Sequence, residues 1–322
     1  METCHICRST AVAQRLLVRE MMFGTGDTFA YRQCARCGCL QIETIPPNIG
    51  TYYPPDYYSY ATKPRTAWRS LKAYLKRQSD TYAVFKKGYL GKCLFRYVSK
   101  DAPVAALSHV SITEQTRILD VGCGSGALLK SLWAIGCRNL MGADPFIAHD
   151  VSDPEGPPIR KCQFTDLTQT FDLVMFHHAF EHVANPKEIF AHLPRVLAPD
   201  GICLIRIPVA DSWAFRHYGP DWVQLDAPRH FFLHTQASIR LLCQSNGLTL
   251  KKVIFDSNEL QFYGSEQYRR DIPLLSERSY AVHPRRSIFS AQELGQFKKK
   301  AIQLNQSGEG DQAIFLITQQ KV

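Results

Sequence analysis

The sequence predicts an α/β protein: a parallel sheet with a nucleotide-type cofactor turn, preceded by a small cysteine-held module. Three observations predict it. An apolar run, Arg117-Ile118-Leu119-Asp120-Val121, leads straight into Gly122-Cys123-Gly124-Ser125-Gly126 and a helix opening Ala127-Leu128-Leu129-Lys130. Glycine serves where the backbone takes positive φ or comes close to a ligand, and a helix N-terminus offers free N–H groups. A second run, Asn139-Leu140-Met141-Gly142-Ala143-Asp144, ends on an acid one βα unit later, where a strand-tip carboxylate can hold a ribose diol. Near the N-terminus, Cys4-x-x-Cys7 and Cys34-x-x-Cys37 form two hooks separated by 26 residues.

The two-residue spacer lets both thiolates of a hook reach one ion, and four thiolates satisfy a tetrahedral zinc ion. With Cys4, Cys7, Cys34 and Cys37 all bound, no open position remains, so the expected role is structural. Thr28 to Gln33 reads as a strand leading into the second hook; Cys39 and His5 are nearby spares that could substitute as ligands, although His5 is aimed away from a shared ion. Tyr52 to Tyr60 places five tyrosines around Pro54-Pro55, which stiffens the chain into an extended connector. From Lys63 to Lys100, basic residues accumulate with few acids, a pattern suited to RNA, an acidic membrane surface or a phosphorylated substrate. The alternative is the solvated face of a helix, with Trp68, Leu71 and Leu75, which recur there at helical spacing, supplying its buried side.

A helix is expected from about residue 104, then strands at 117–121 and 139–144 around a helix at 126–135. Ser152 to Pro158 is loop chemistry, so the next helix is short or absent. A strand at 171–176 precedes a helix that follows Pro186 and ends near Leu197. Pro199-Asp200-Gly201 should turn into a strand over Ile202 to Ile207. A helix at 236–245 closes on Asn246-Gly247, followed by a strand over Leu248 to Phe255. Residues 257–312 read as an insertion, a lid or a dimer contact, before a last strand over Ala313 to Thr318.

The chain of 322 residues is 45% hydrophobic, enough for a full core. No apolar run approaches the ~20 residues that span a bilayer, and Met1-Glu2-Thr3-Cys4-His5 lacks the layout of a signal peptide. A cytoplasmic protein without membrane insertion is expected, its eleven cysteines serving as metal ligands and buried thiols more than disulfides. The net charge of +9 favours an anionic partner.

The spacing of Asp120, Gly122, Gly124 and Gly126 resembles the D/E-x-G-x-G-x-G motif of class I S-adenosylmethionine-dependent methyltransferases. That resemblance implies a Rossmann-like seven-stranded sheet completed by an antiparallel last strand, with S-adenosylmethionine as cofactor. It implies cofactor contacts at Asp120, Gly122, Cys123, Gly124 and Gly126, a ribose contact at Asp144, an adenine contact at Asp166, and further cofactor contacts at Pro145, Leu167 and His177. Glu181-His182-Val183-Ala184-Asn185-Pro186 looks like the EHV-x-x-P element of small-molecule and sugar methyltransferases. A zinc-ribbon-like module, a Tyr-rich connector and this core occur together in methyltransferases resembling those of bacterial polysaccharide and deoxysugar biosynthesis. The corresponding division is 1–50 for the zinc module, 51–103 for the connector and basic helical segment, and 104–322 for the methyltransferase domain.

In open α/β sheets the ligand lies at the carboxyl ends of the strands. The loop after the fifth strand, with Tyr218, Trp222 and Pro228-Arg229-His230, is expected to line the acceptor pocket, as the P-R-H element does in the enzymes it resembles. Transfer to a sugar hydroxyl needs a base, and histidine suits neutral pH. The order of preference is His178, His230, then Glu181 or His182. Ubiquinone-type O-methyltransferases carry an acid where this chain has His178, so no catalytic metal is expected. The sequence therefore points to O-methylation of a carbohydrate or related small acceptor, free or in a glycan. An RNA methyltransferase and a non-catalytic zinc assembly protein are the alternatives. The first is disfavoured because the fourth strand runs into Phe-His-His-Ala and Cys203 lies inside the fifth.

Overall fold

A computed structural model describes residues 3–54, 71–97 and 102–320. Tyr57, Tyr58 and Tyr60 of the connector, with Lys63, Arg65, Trp68, Arg69 and Lys100 of the basic stretch, lie outside the described residues. The elements run β1 (Val12–Arg19), β2 (Thr28–Cys34), β3 (Leu40–Ile42), α1 (Leu71–Phe85), α2 (Tyr89–Tyr97), α3 (Ala102–Ala106), β4 (Ile118–Val121), α4 (Ala127–Ala134), β5 (Leu140–Ala143) and β6 (Ile159–Arg160). Then follow β7 (Phe171–His177), α5 (Pro186–Val196), β8 (Leu197–Pro208), α6 (Trp213–Tyr218), β9 (Phe232–Leu233), α7 (Gln236–Gln244), β10 (Leu248–Phe255), α8 (Leu260–Tyr268), α9 (Ala291–Ser307) and β11 (Gln312–Gln319). By contacts the chain divides into two compact units. One comprises Met1–Tyr53, Phe180–Phe190 and Arg206–Phe315; the other comprises Pro54–Ala179, Ala191–Ile205 and Leu316–Val322.

The mixed seven-stranded sheet has the order β10-β11-β8-β7-β4-β5-β6. The last strand thus inserts between β8 and β10. β4 pairs in parallel with β5 on one side and β7 on the other, with Asp120 level with Gly142 and Met175. Strands covered on both faces read as unbroken apolar runs, and every residue of β4 and β5 is buried. The chain leaves β4 for one neighbour and returns for the other, which makes the carboxyl end of β4 a topological switch point.

No helix joins β5 to β6; a single antiparallel bridge between Val151 and Ile159 closes that loop, as its prolines and Gly156 implied. One local expectation is corrected. Pro199-Asp200-Gly201 does not precede the fifth strand but lies inside β8, where Pro199 and Asp200 are its two exposed residues. Ala198 and Gly201, on either side of them, continue the strand, so turn-forming residues here mark an exposed interruption of one long element.

The first three strands form an antiparallel sheet whose fourth member is β9: Leu40 is level with Leu233 and Gln41 with Phe232. A two-residue strand has no periodicity to read, and it was not anticipated. α7 starts from a reciprocal cap in which the Thr235 hydroxyl accepts from Ser238 N–H, and α9 from the same device between Ser290 and Glu293.

Candidate functional site

Three clusters gather the chemistry-bearing residues. The first is the glycine turn after β4. Gly122, Gly124 and Gly126 all take positive φ, at 70°, 52° and 72°. A Cβ on Gly122 would lie 2.5 Å from the Cβ of Ala179, and one on Gly126 would lie 2.5 Å from Ile159 Cδ1. Conformation therefore requires glycine at all three positions, and at Gly122 crowding against the Ala179 Cβ requires it as well. Asp144, buried at the end of β5, accepts from Gly124 N–H through Oδ2 at 2.9 Å and from Phe146 N–H through Oδ1 at 2.8 Å. Each carboxylate oxygen keeps a second lone pair, so Asp144 can hold the turn and still accept from a ligand hydroxyl.

Asp120 is buried, and its carboxyl is pushed up to about 8, first by burial and then by the negative charge of Asp144. The folded chain thus binds a proton that the unfolded chain releases between the ordinary carboxylate range and about pH 8. Stability should be fullest below that window and fall through it, by an amount on the order of a few kcal/mol. Thermal melts of Asp120→Asn across the window should lose this slope; an unchanged slope would place the titration elsewhere.

Cys123 is half-buried, and burial pushes its thiol well up. Pro145 is half-buried, and Phe146 beside it exposes 77% of its surface, a large apolar ring that sequence reading passed over. Its signal was its place two residues beyond the strand-tip acid. Asp166 is exposed and accepts from Gln163 N–H at 2.9 Å, while Leu167 is buried with its carbonyl accepting from His192 Nε2 at 2.8 Å. His177 ends β7, and His178 follows in the left-handed region at φ 50°, a conformation that costs a non-glycine residue. The cleft of about 280 Å³ lined by Thr113, Thr116, Asp172 and Asp200 lies toward the opposite, amino ends of β4 and β7. It is not the seat of the glycine turn.

The second cluster is Glu181, His182 and His230, whose ligand-type atoms lie within 4.8 Å of one another. Both imidazoles are held through Nδ1. That of His230 donates to the Gln224 carbonyl at 2.8 Å, and that of His182 donates to the Arg229 carbonyl at 2.8 Å, with the Tyr53 hydroxyl oxygen at 3.2 Å. A carbonyl only accepts, so each bond puts the proton on Nδ1 and leaves Nε2 as the basic nitrogen. The rings meet edge to face with centroids 4.8 Å apart. His230 Nε2 faces Asp226 Oδ2 at 3.7 Å and Glu181 Oε1 at 3.9 Å. Burial still draws His230 down to about 4, against the pull of Asp226, so it is neutral at physiological pH. His182 is half-buried, whereas Glu181 and His230 are buried. Two nitrogens and a carboxylate could also receive a divalent ion.

Arg229 locks this cluster from beneath. Its side chain is fully buried, with Nη2 donating to Glu20 Oε1 at 2.7 Å and to Asp226 Oδ1 at 2.6 Å. Burial alone would lower this guanidinium, but Asp226 and then Glu20 hold it above its usual value. The same charge keeps Asp226 below the carboxylate range despite its burial. Glu20 also accepts from Phe23, Gly24 and Thr25 N–H at 2.9–3.0 Å. Trp222 is fully buried, its indole N–H donating to Asp311 Oδ2 at 3.0 Å, and Tyr218 is buried under the Arg269 guanidinium at 4.5 Å. The structure thus gives Arg229, Trp222 and Tyr218 internal partners. The functional contacts absent from the sequence reading are Glu20, Tyr53 and the carbonyls of Gln224 and Arg229.

The third cluster is the hooks. Cys4 and Cys37 sulfurs stand 3.7 Å apart and Cys7 and Cys34 sulfurs 3.5 Å apart, with all four within 4.8 Å. A tetrahedral site with bonds of about 2.3 Å has edges of about 3.8 Å, so the four thiols fit one metal ion. The Cys4 and Cys37 thiols share a proton, which draws Cys4 down and pushes Cys37 up; a bound ion would take all four as thiolates. Cys39 is buried outside the set and His5 is exposed.

A family described as "Methyltransferase domain" matches residues 88–253, just over half of the chain, and includes both the glycine turn and the Glu181–His182 pair. The chain belongs to the methyltransferase-domain family. Among curated relatives, the ubiquinone biosynthesis O-methyltransferase of Maricaulis maris is 29% identical over 155 residues, covering 43% of this chain and 61% of the relative. Trans-aconitate 2-methyltransferase of Escherichia coli is 24% identical over 120 residues, covering 34% and 45%. The chain therefore spans less than two thirds of the length of these relatives. Among solved structures, a cyclopropane synthase from Mycobacterium tuberculosis is similar at 15% identity with a TM-score of 0.43, over 75% of this chain and 96% of that one. A S-adenosylmethionine-dependent methyltransferase from Archaeoglobus fulgidus gives 16% identity and 0.43, over 72% and 100%.

Proposed function

We propose that this methyltransferase transfers a methyl group from S-adenosylmethionine to a hydroxyl of a small-molecule acceptor, a carbohydrate or related compound, with the four cysteines holding one structural zinc ion. The observation that carries the reading is the positive-φ glycine turn held by Asp144, whose remaining lone pairs suit a ribose. Asp120 and the turn would meet the amino-acid end, Asp144 and Pro145 the ribose, Phe146, Asp166 and Leu167 the adenine. S-adenosylmethionine brings a methyl already activated by its sulfonium, so the protein must chiefly align the acceptor and accept its proton.

His182 is assigned that proton. Its Nδ1–H is anchored, its Nε2 is free to act as base, and it is less buried than His230. His230 and Glu181 pack around it, and His178 remains the second candidate. Transfer to oxygen agrees with the relatives being O-methyltransferases of ubiquinone biosynthesis, whereas the carbohydrate acceptor rests on the layout of cysteine module, Tyr-rich connector and core.

Labelled methyl from S-adenosylmethionine, supplied with separated fractions of nucleotide sugars, glycans, lipids, RNA and protein, tests the reading. Label in sugars or glycans is expected. Label confined to RNA would replace the acceptor class, and label in no fraction would favour a non-catalytic role. Metal analysis of the same preparation should return one zinc per chain.

A further inference from the structure

The charge of the chain is concentrated in one place. Residues 63–100 hold eleven Lys and Arg against one acid, Asp80, a net +10. The whole chain is +9, so all the rest sums to −1. The described part of this segment is the hairpin of α1 and α2, where Lys72, Lys76, Arg77, Lys86, Lys87 and Lys92 are all exposed. Two of these have acidic partners: Lys76 pairs closely with the buried Asp80, and Lys87 has a weak one in Glu114, 3.8 Å away with both side chains more than half exposed.

The hairpin also exposes apolar side chains. Tyr89 is 84% exposed, Leu71 74%, Tyr74 52% and Leu90 45%. The connection is Lys86-Lys87-Gly88, with Lys86 and Gly88 at positive φ, so Tyr89 and Leu90 open α2 directly beside two lysines. Lys92 stands one helical turn after Tyr89, on the same face. Tyrosine carries an apolar body with a polar tip and settles at the lipid headgroup level, where leucine inserts and lysine meets phosphate. Single-stranded RNA would use aromatic rings for stacking but has no use for exposed leucines.

From these observations we infer that the α1–α2 hairpin is a peripheral docking surface for anionic phospholipid headgroups, with Lys87, Tyr89, Leu90 and Lys92 at its tip. Charge complementarity selects the occupant. The surface stands apart from the acceptor assignment, so it holds or fails independently of the proposed reaction.

Cosedimentation of the full chain with large unilamellar vesicles tests it. Replacing about a third of phosphatidylcholine by phosphatidylglycerol should raise partitioning at least tenfold, and salt that shortens the Debye length should reverse the gain. Each cation near such a surface is worth about fivefold in partitioning, so Lys87→Ala with Lys92→Ala should lower it about 25-fold. Tyr89→Ser should lower binding without changing its salt dependence. Melting curves of the variants, expected to match the parent, guard against misfolding. Equal partitioning onto neutral and anionic vesicles, unchanged binding by the folded double variant, or tighter binding to a single-stranded RNA than to the anionic vesicles would each overturn the inference.

Discussion

Replacing Arg229 with methionine is expected to destabilise the protein by about 3–5 kcal/mol, the range for removing one partner of a buried ion pair. The side chain is fully buried, and its loss would leave two buried carboxylates, Glu20 and Asp226, facing methionine. Their mutual repulsion and desolvation would then be relieved only by protonation or local opening. Urea unfolding of the variant gives the number. A triple variant with Glu20→Gln and Asp226→Asn should recover much of the loss, since the unpaired charges rather than the missing packing carry the penalty. A cost below about 1 kcal/mol for the single variant would show that water reaches the network.

The second large effect concerns the base. His182→Gln should lower kcat by about 10²- to 10⁴-fold, the usual worth of a positioned general base. Glutamine can still donate to the Arg229 carbonyl, so stability should change little. His178→Asn is the control: asparagine tolerates the left-handed region that His178 occupies at φ 50°, so the backbone should survive and activity should fall less. A greater loss in His178→Asn than in His182→Gln would return the base to His178. Initial rates with saturating S-adenosylmethionine and a sugar acceptor identified by labelling decide between them.

The elements that could be read from the sequence are those whose signals are local. Gly122, Gly124 and Gly126 announce a turn because positive φ is intrinsic to glycine. Apolar runs of four to seven residues announce β4, β5 and β7, and paired two-residue spacers announce the hooks. The partners of Arg229 and Trp222 could not be read because they lie far off in the chain, Glu20 by 209 positions and Asp311 by 89. An arginine in a polar, aromatic loop looks available until its counterions are known. The order proposed for the histidines likewise rests on contacts that have no local signal, the carbonyls of Gln224 and Arg229 that take the Nδ1 protons.

β9 has a consequence for how this chain is made. The sheet that carries the cysteine hooks closes only when Phe232 and Leu233 pair with Leu40 and Gln41. About 190 residues separate the partners, which at ordinary elongation speeds of about 5–20 residues per second amounts to roughly 10–40 s of synthesis. During that interval β3 presents an open edge and Glu20 waits without its guanidinium. A nascent or truncated chain ending before residue 229 would therefore be open to edge-to-edge aggregation, and vectorial production of the N-terminal segment depends on shielding until its distant fourth strand emerges.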